Sequence, residues 1–159
     1  MFVSHEIPPL FDENSRVLIL GTIPSPLSRQ TKFYYGNPQN RFWAALAGVY
    51  EEEKPGTVEE KIAFLARHRI ALWDVFASCD IEGAADSSIK NPVLNDFGII
   101  LDNVDIRQIF TTGKTAYTYF KKYTEMDSIC LPSPSPANCA VSLEKLIEAY
   151  RQIKRFTDD

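Results

Sequence analysis

Apolar and polar positions along the chain fall into two alternating kinds of segment. Arg16 to Gly21 carries Val-Leu-Ile-Leu between an arginine and a glycine, with Pro24 just beyond. A short unbroken apolar run closed by turn residues predicts a strand buried on both faces. From Asn40 to Tyr50, Phe42, Trp43, Leu46, Val49 and Tyr50 recur at helical spacing, and Lys54-Pro55-Gly56 ends the element. Thr57-Val-Glu-Glu60 has the spacing of a capping box, and Val58, Ile62 and Leu65 form the inner stripe of a second helix to about His68. Ile70 to Phe76 predicts the second strand. Asn95 or Asp96 can cap a short helix through Leu101, and Arg107 to Thr112 reads as a third strand ending at Gly113. Lys114 to Tyr123 is helical, Ser128 to Leu131 is a fourth short strand, and Ser142 to about Phe156 is an amphipathic final helix.

Strands alternating with helices predict an α/β domain in which a parallel sheet is covered on both faces. Ligands of such sheets sit outside the carboxyl ends of the strands, so the site is located before any motif is named. Loops of unusual length follow three strands: Gly21 to Asn40, Ala77 to Asn91, and Pro132 to Asn138. Long loops in a compact domain usually serve function. With no internal repeat and no linker, residues 1–159 read as a single domain.

Composition removes several classes of function. A chain that is 45% hydrophobic and 12% aromatic has enough apolar area to order itself, so disorder is excluded. The formal net charge of -4 supplies no general field toward nucleic acid or anionic lipid, and a nucleic-acid role would need a local surface. Cys79, Cys130 and Cys139 are widely separated and form no C-x-x-C pair, which argues against a zinc site, an iron-sulfur cluster or a disulfide framework. His5 and His68 are the only histidines and lie in unrelated contexts. Neither metal nor cofactor is expected. No apolar run approaches the roughly 20 residues of a membrane-spanning helix, and the N-terminal stretch lacks a signal peptide's basic start and apolar middle, so the expected location is cytoplasmic.

Three segments carry candidate chemistry. Gly21-Thr22-Ile23-Pro24-Ser25 follows the first strand and reads either as an oriented pocket wall or as a plain turn. Phe33 to Trp43 packs five aromatics, two asparagines and an arginine into eleven residues. Flat rings for stacking, amides for a base edge and one cation for a phosphate are what an extruded nucleobase requires. Phe42 and Trp43 also fit the core of the following helix, which leaves Tyr34 and Tyr35 as better pocket candidates. Leu131-Pro-Ser-Pro-Ser-Pro-Ala-Asn138 is stiffened by prolines, and hydroxyls of Ser133 and Ser135 with backbone amides could hold DNA phosphates without a basic surface; a rigid connector is the other reading. Thr112-Gly-Lys-Thr115 lacks the earlier glycine of a P-loop, and Asp96-Phe97-Gly98 stands in a chain far too short for a kinase. Asp74, in Leu72-Trp-Asp-Val75, is either a loop-fixing acceptor, the preferred reading, or a catalytic carboxylate.

Taken together, Val17 to Ser25, Tyr34 to Trp43, Leu72 to Val75 and Ser133 to Asn138 resemble the uracil-DNA glycosylase superfamily in order and spacing, and within it most the hypoxanthine-DNA (deoxyinosine) glycosylase family. The resemblance extends to His5-x-x-Pro-Pro9 and Asp12-Glu-Asn-Ser15. It implies a three-layer α/β/α sandwich with a four-stranded parallel sheet and a metal-free cut of the N-glycosidic bond of a deaminated base. Damaged DNA would be the partner of a monomeric enzyme. By that resemblance Asn40 is the catalytic amide, and Gly21, Thr22, Ile23, Ser25, Tyr35 and Phe42 bind the base. Ser133, Pro134, Ser135, Ala137 and Asn138 form the DNA-binding loop. Where several branches carry an Asp or Asn in the first motif, this chain has Thr22 to Ser25 and no carboxylate. Ser133 replaces the histidine of uracil-specific relatives, Asn37 stands where relatives often have His, and Thr112 where they often have Asn. No lysine is placed as a Schiff-base nucleophile, so a monofunctional enzyme is expected. A non-catalytic nucleotide- or DNA-binding module of the same fold is the competing reading.

Overall fold

The computed structural model describes residues 2–4, 7–23, 33–80 and 89–158. Four strands, β2 (Val17–Gly21), β3 (Ile70–Asp74), β6 (Gln108–Thr112) and β7 (Ile129–Leu131), form one sheet in the order β3-β2-β6-β7, and every neighbouring pair is parallel. Every residue of β2 and β3 is buried, as continuous apolar runs require when both faces are covered. Around the sheet lie α1 (Phe42–Tyr50), α2 (Val58–Arg67), α3 (Gly98–Leu101), α4 (Lys114–Thr124), α5 (Leu143–Tyr150) and α6 (Lys154–Thr157). The four-stranded parallel sheet with surrounding helices is the predicted α/β sandwich.

Local signals work as expected at the start of α2. The Thr57 hydroxyl accepts from the Glu60 amide at 3.0 Å, and a Glu60 carboxylate oxygen accepts from the Thr57 amide at 3.0 Å. Both halves of the capping box are therefore made. Before α3, Asp96 rather than Asn95 accepts from a helix amide, that of Gly98 at 3.1 Å. Asn95 instead donates its side-chain amide to the carbonyls of Asp74 and Phe76.

Two departures change the picture near the second strand. The apolar run from Ile70 is broken at Val75, and the chain continues as β4 (Phe76–Asp80), which pairs antiparallel with β1 (Phe2–Ser4) and β5 (Lys90–Leu94) in a second, three-stranded sheet. The loop expected over Ala77 to Asn91 is thus strand at both ends, with residues 81–88 outside the described set. Pairing with a segment more than seventy residues away leaves no periodic trace, and Pro92 marks β5 as an edge strand. The expected final helix is also interrupted, by a tighter turn over Arg151–Ile153. Among the described residues no helix is long and apolar enough to cross a membrane.

Candidate functional site

The carboxyl ends of β2, β3 and β6 meet at Gly21, Asp74 and Thr112. Gly21 is registered opposite Asp74, and a Cβ built on it would lie 2.5 Å from Asp74 Oδ1 and 3.2 Å from the Tyr35 hydroxyl. Only hydrogen fits there. Gly21→Ala is expected to lower stability by about 1–3 kcal/mol through overpacking and to push Tyr35 or Asp74 off its place; a thermal melt checks the first effect. Thr22 is buried and its carbonyl accepts from the Phe76 amide at 3.1 Å, while Ile23 is half-buried against the core. Ser25 lies outside the described residues.

Tyr35 connects the strand ends to α1. Its φ of 53° is left-handed, a conformation that costs a non-glycine residue about 1–2 kcal/mol and persists only where surroundings hold it. Two contacts do so. The ring stacks on Phe42 with centroids 3.9 Å apart and planes 14° apart, and the hydroxyl lies 3.4 Å from Thr112 Oγ1. Phe42 is fully buried, so its ring backs Tyr35 and shows no face to a ligand. Trp43 is equally a core residue, donating its indole N–H to the Tyr34 carbonyl at 3.2 Å. Tyr34, expected in the pocket, is 2% exposed and donates its hydroxyl to the Pro8 carbonyl at 2.8 Å, so it anchors the N-terminal segment instead. Burial first, and the charge of Asp74 second, push the phenols of Tyr34 and Tyr35 above their ordinary pKa. Both stay protonated donors at physiological pH.

Asn40 stands just outside α1. Its Oδ1 accepts from the Phe42 amide at 2.9 Å and its own amide donates to the Asn37 carbonyl at 2.9 Å, which together fix a turn into the helix. The side-chain NH2 has no hydrogen-bond partner among the described residues, and the residue is half-buried. The oxygen shapes the helix start and the nitrogen remains a donor.

Arg41 is not a phosphate cation in this arrangement. Its guanidinium donates to the carbonyls of Ser135 at 3.2 Å, Asn138 at 3.0 Å and Val141, and its backbone amide donates to the Pro134 carbonyl at 3.0 Å. The reason is visible in the sequence, although composition alone did not reveal it. Pro132, Pro134 and Pro136 have no N–H, so the loop carries more carbonyls than it can satisfy, and a guanidinium with five donors is the complement.

The same loop is organised from within. Ser133 Oγ accepts from the Ser135 amide and Ser135 Oγ from the Ala137 amide, each at 3.2 Å, and Asn138 donates from its side chain to the Ser133 carbonyl at 3.0 Å. The amides of residues 135, 137 and 138 are therefore spent, which corrects the expectation that the loop offers its backbone freely. Neither hydroxyl proton has an acceptor among the described residues. Pro134 is buried and Ala137 exposed. Tyr150 holds the loop from behind, donating to the Pro132 carbonyl at 2.8 Å. Gly113, at a φ of 94°, begins α4 against Ser133, whose Cβ would lie 3.4 Å from a Cβ on the glycine. Thr112, Tyr35, Phe42, Asn40, Arg41 and the proline loop thus form one chain of contacts across the sheet's edge.

A family model described as the uracil DNA glycosylase superfamily matches residues 8–154. The chain belongs to the uracil DNA glycosylase superfamily. Within that superfamily it is similar to a hypoxanthine DNA glycosylase of Methanosarcina acetivorans, 36% identical over 140 residues that cover 86% of this chain and 89% of the relative. A hypoxanthine DNA glycosylase of Methanosarcina barkeri is 35% identical over 114 residues, covering 70% and 72% of the two chains. Among solved structures, the solution NMR structure of a candidate uracil DNA glycosylase from Methanosarcina acetivorans superposes with a TM-score of 0.78 at 33% identity, covering 97% of this chain and 99% of that one. The superfamily fold and the sheet described above agree.

Proposed function

We propose that the protein is a DNA glycosylase that hydrolyses the N-glycosidic bond of a deaminated base, hypoxanthine in deoxyinosine first and uracil in mismatches second, and leaves an abasic site. The observation that carries the reading is the pairing of an aromatic platform with an amide donor. Tyr35 lies on a buried ring at the strand ends, and Asn40, five positions on, has a side-chain NH2 with no hydrogen-bond partner among the described residues. Hypoxanthine DNA glycosylases as relatives over most of the chain support the substrate.

Breaking the C1′–N bond develops positive charge on the sugar and negative charge on the departing base, so catalysis is mainly electrostatic preorganisation around both. Tyr35, backed by Phe42, receives the flipped base on its other face. The Asn40 NH2 donates to the leaving base or holds the attacking water, and the capping bond of its oxygen keeps it in place. Hydroxyls of Ser133 and Ser135 donate to the DNA backbone beside the lesion. The enzyme acts as a cytoplasmic monomer, without metal or cofactor, and without cutting the strand.

The test is a panel of duplexes carrying inosine, uracil or thymine opposite each base. Release of hypoxanthine, with strand breakage only after alkali or heat, is the expected outcome. Retarded DNA with no base released would mark a binding module instead.

A further inference from the structure

Building on the functional reading above, we propose that Tyr150 is a positioning residue: it fixes the distance between the aromatic platform that receives the base and the serine-proline loop that holds the DNA backbone. It thereby sets where the C1′–N bond lies against Asn40.

A flipped nucleotide is gripped at two points that its own sugar connects. The base rests on the outer face of Tyr35 and a phosphate meets the hydroxyls of Ser133 and Ser135, so the bond to be broken lies between the two grips. If one grip shifts against the other, both contacts can survive while the sugar turns away from the amide that assists departure. Such a shift costs the transition state more than the bound state. A link between the grips is therefore worth more to the rate than to affinity.

Tyr150 makes that link. Its ring meets Phe42 edge-on, with centroids 6.5 Å apart and planes at 66°, and Phe42 in turn stacks on Tyr35 at 3.9 Å. Its hydroxyl donates at 2.8 Å to the carbonyl of Pro132, the residue immediately before Ser133. Three rings and one hydrogen bond thus run from the platform to the root of the loop. Tyr150 is fully buried, and burial above all holds its phenol well above the ordinary pKa, so the hydroxyl stays a donor. A phenol suits a spacer, having two side-chain torsions and its hydroxyl on the ring axis. Behind it, α5 lies close against α1 where Gly48 leaves room for Ile147, whose Cγ1 would be 2.7 Å from a Cβ on the glycine. The helix carrying Phe42 and the helix carrying Tyr150 are therefore packed at a fixed separation. Arg41 does a different job: its bonds go to carbonyls from Pro134 to Val141 and give the loop its shape, whereas Tyr150 holds the root and sets its height over the rings.

A buried hydroxyl needs a partner in any case, and the experiment separates that need from positioning. Single-turnover release of hypoxanthine is followed with enzyme raised to saturation, at a temperature where melts show wild type and Tyr150→Phe fully folded. The substitution removes the hydroxyl and keeps the ring. Its maximal rate is expected to fall about 10-fold, within the roughly 100-fold that a displacement of about 1 Å can cost. The enzyme concentration giving half that rate should move about twofold or less. A second duplex carries neutral methylphosphonates in place of the phosphates flanking the deoxyinosine, which weakens the loop's grip. On it the wild type should itself lose about 10-fold in maximal rate, the worth of a hydrogen bond to a charged group. Tyr150→Phe should then add about twofold or less, because the distance it fixes no longer matters. Equal slowing of both duplexes by Tyr150→Phe marks a structural support and overturns the proposal. A Tyr150→Phe rate within about twofold of wild type on the phosphate duplex overturns it as well. If the variant does not fold, the wild type decides: a methylphosphonate duplex that alters the half-saturating concentration and leaves the maximal rate unchanged overturns the proposal, and a lowered maximal rate upholds it. A wild type that releases no hypoxanthine from either duplex overturns the functional reading, and the proposal with it.

Discussion

Asn40→Ala is expected to lower the single-turnover rate of base release by about 100- to 1000-fold, the usual loss when one preorganised donor is removed from a site of developing charge. Its effect on stability should be much smaller. Oδ1 of Asn40 accepts from the Phe42 amide at the start of α1, and loss of such a cap costs about 1 kcal/mol, or about 2–4 °C of Tm in a chain of this size. Asn40→Asp separates the two roles. An aspartate keeps the oxygen that caps the helix but has no NH2, so its Tm should match the wild type while its rate falls as far as that of the alanine variant. Rapid-quench kinetics beside thermal melts read both quantities. An Asn40→Ala rate within a few-fold of wild type would remove this residue from the chemistry.

Arg41→Ala should show the opposite balance, with the largest change in stability. The guanidinium is bonded to the carbonyls of Ser135, Asn138 and Val141, and truncation leaves these acceptors without their donor in a partly buried loop. Hydrogen bonds to charged groups are worth about 1.5–3 kcal/mol each, and those made by one side chain are not additive, so a loss of about 3 kcal/mol is expected. That corresponds to about 6–12 °C in Tm. Arg41→Lys should recover little, because an ammonium is a point charge and cannot span diverging carbonyls as a planar fork does. A lysine variant as stable as the wild type would show that Arg41 serves as a charge rather than as a clamp.

Most of the parallel sheet was legible because its strands are buried on both faces. Val17 to Leu20 and Ile70 to Trp73 are continuous apolar runs that admit no other period, and Thr57-Val-Glu-Glu60 announces its helix through local chemistry. The three-stranded sheet escaped detection because its strands are short and partly polar. Phe76-Ala-Ser-Cys-Asp80 and Lys90-Asn-Pro-Val-Leu94 become strands only by pairing with each other and with the N-terminus. Tertiary pairing of this kind overrides local preference.

The candidate site divides in the same way. Gly21, Tyr35 and Asn40 stand out because their motifs resemble those of the superfamily; residue type alone leaves Gly21 open between a pocket wall and a turn. The partners that hold them could not be found in this way. Tyr35 meets Thr112 across 77 positions and Arg41 meets Asn138 across 97, so these contacts exist only once the sheet has brought the loops together. Tyr34 shows the limit of composition as a guide. It has the same side chain as its neighbour, yet the left-handed turn at Tyr35 sends the two rings to different surroundings, one into the core and one to the strand ends.

The internal use of Arg41 bears on how strongly ionic strength should govern affinity. Proteins that grip a duplex through lysines and arginines displace condensed cations, and their association constants fall steeply as electrolyte is added. If the proline-stiffened loop holds DNA through its hydroxyls as proposed, on a chain whose formal charge is -4, it would displace few of them. Its hold on a lesion would then change little between dilute and concentrated buffer.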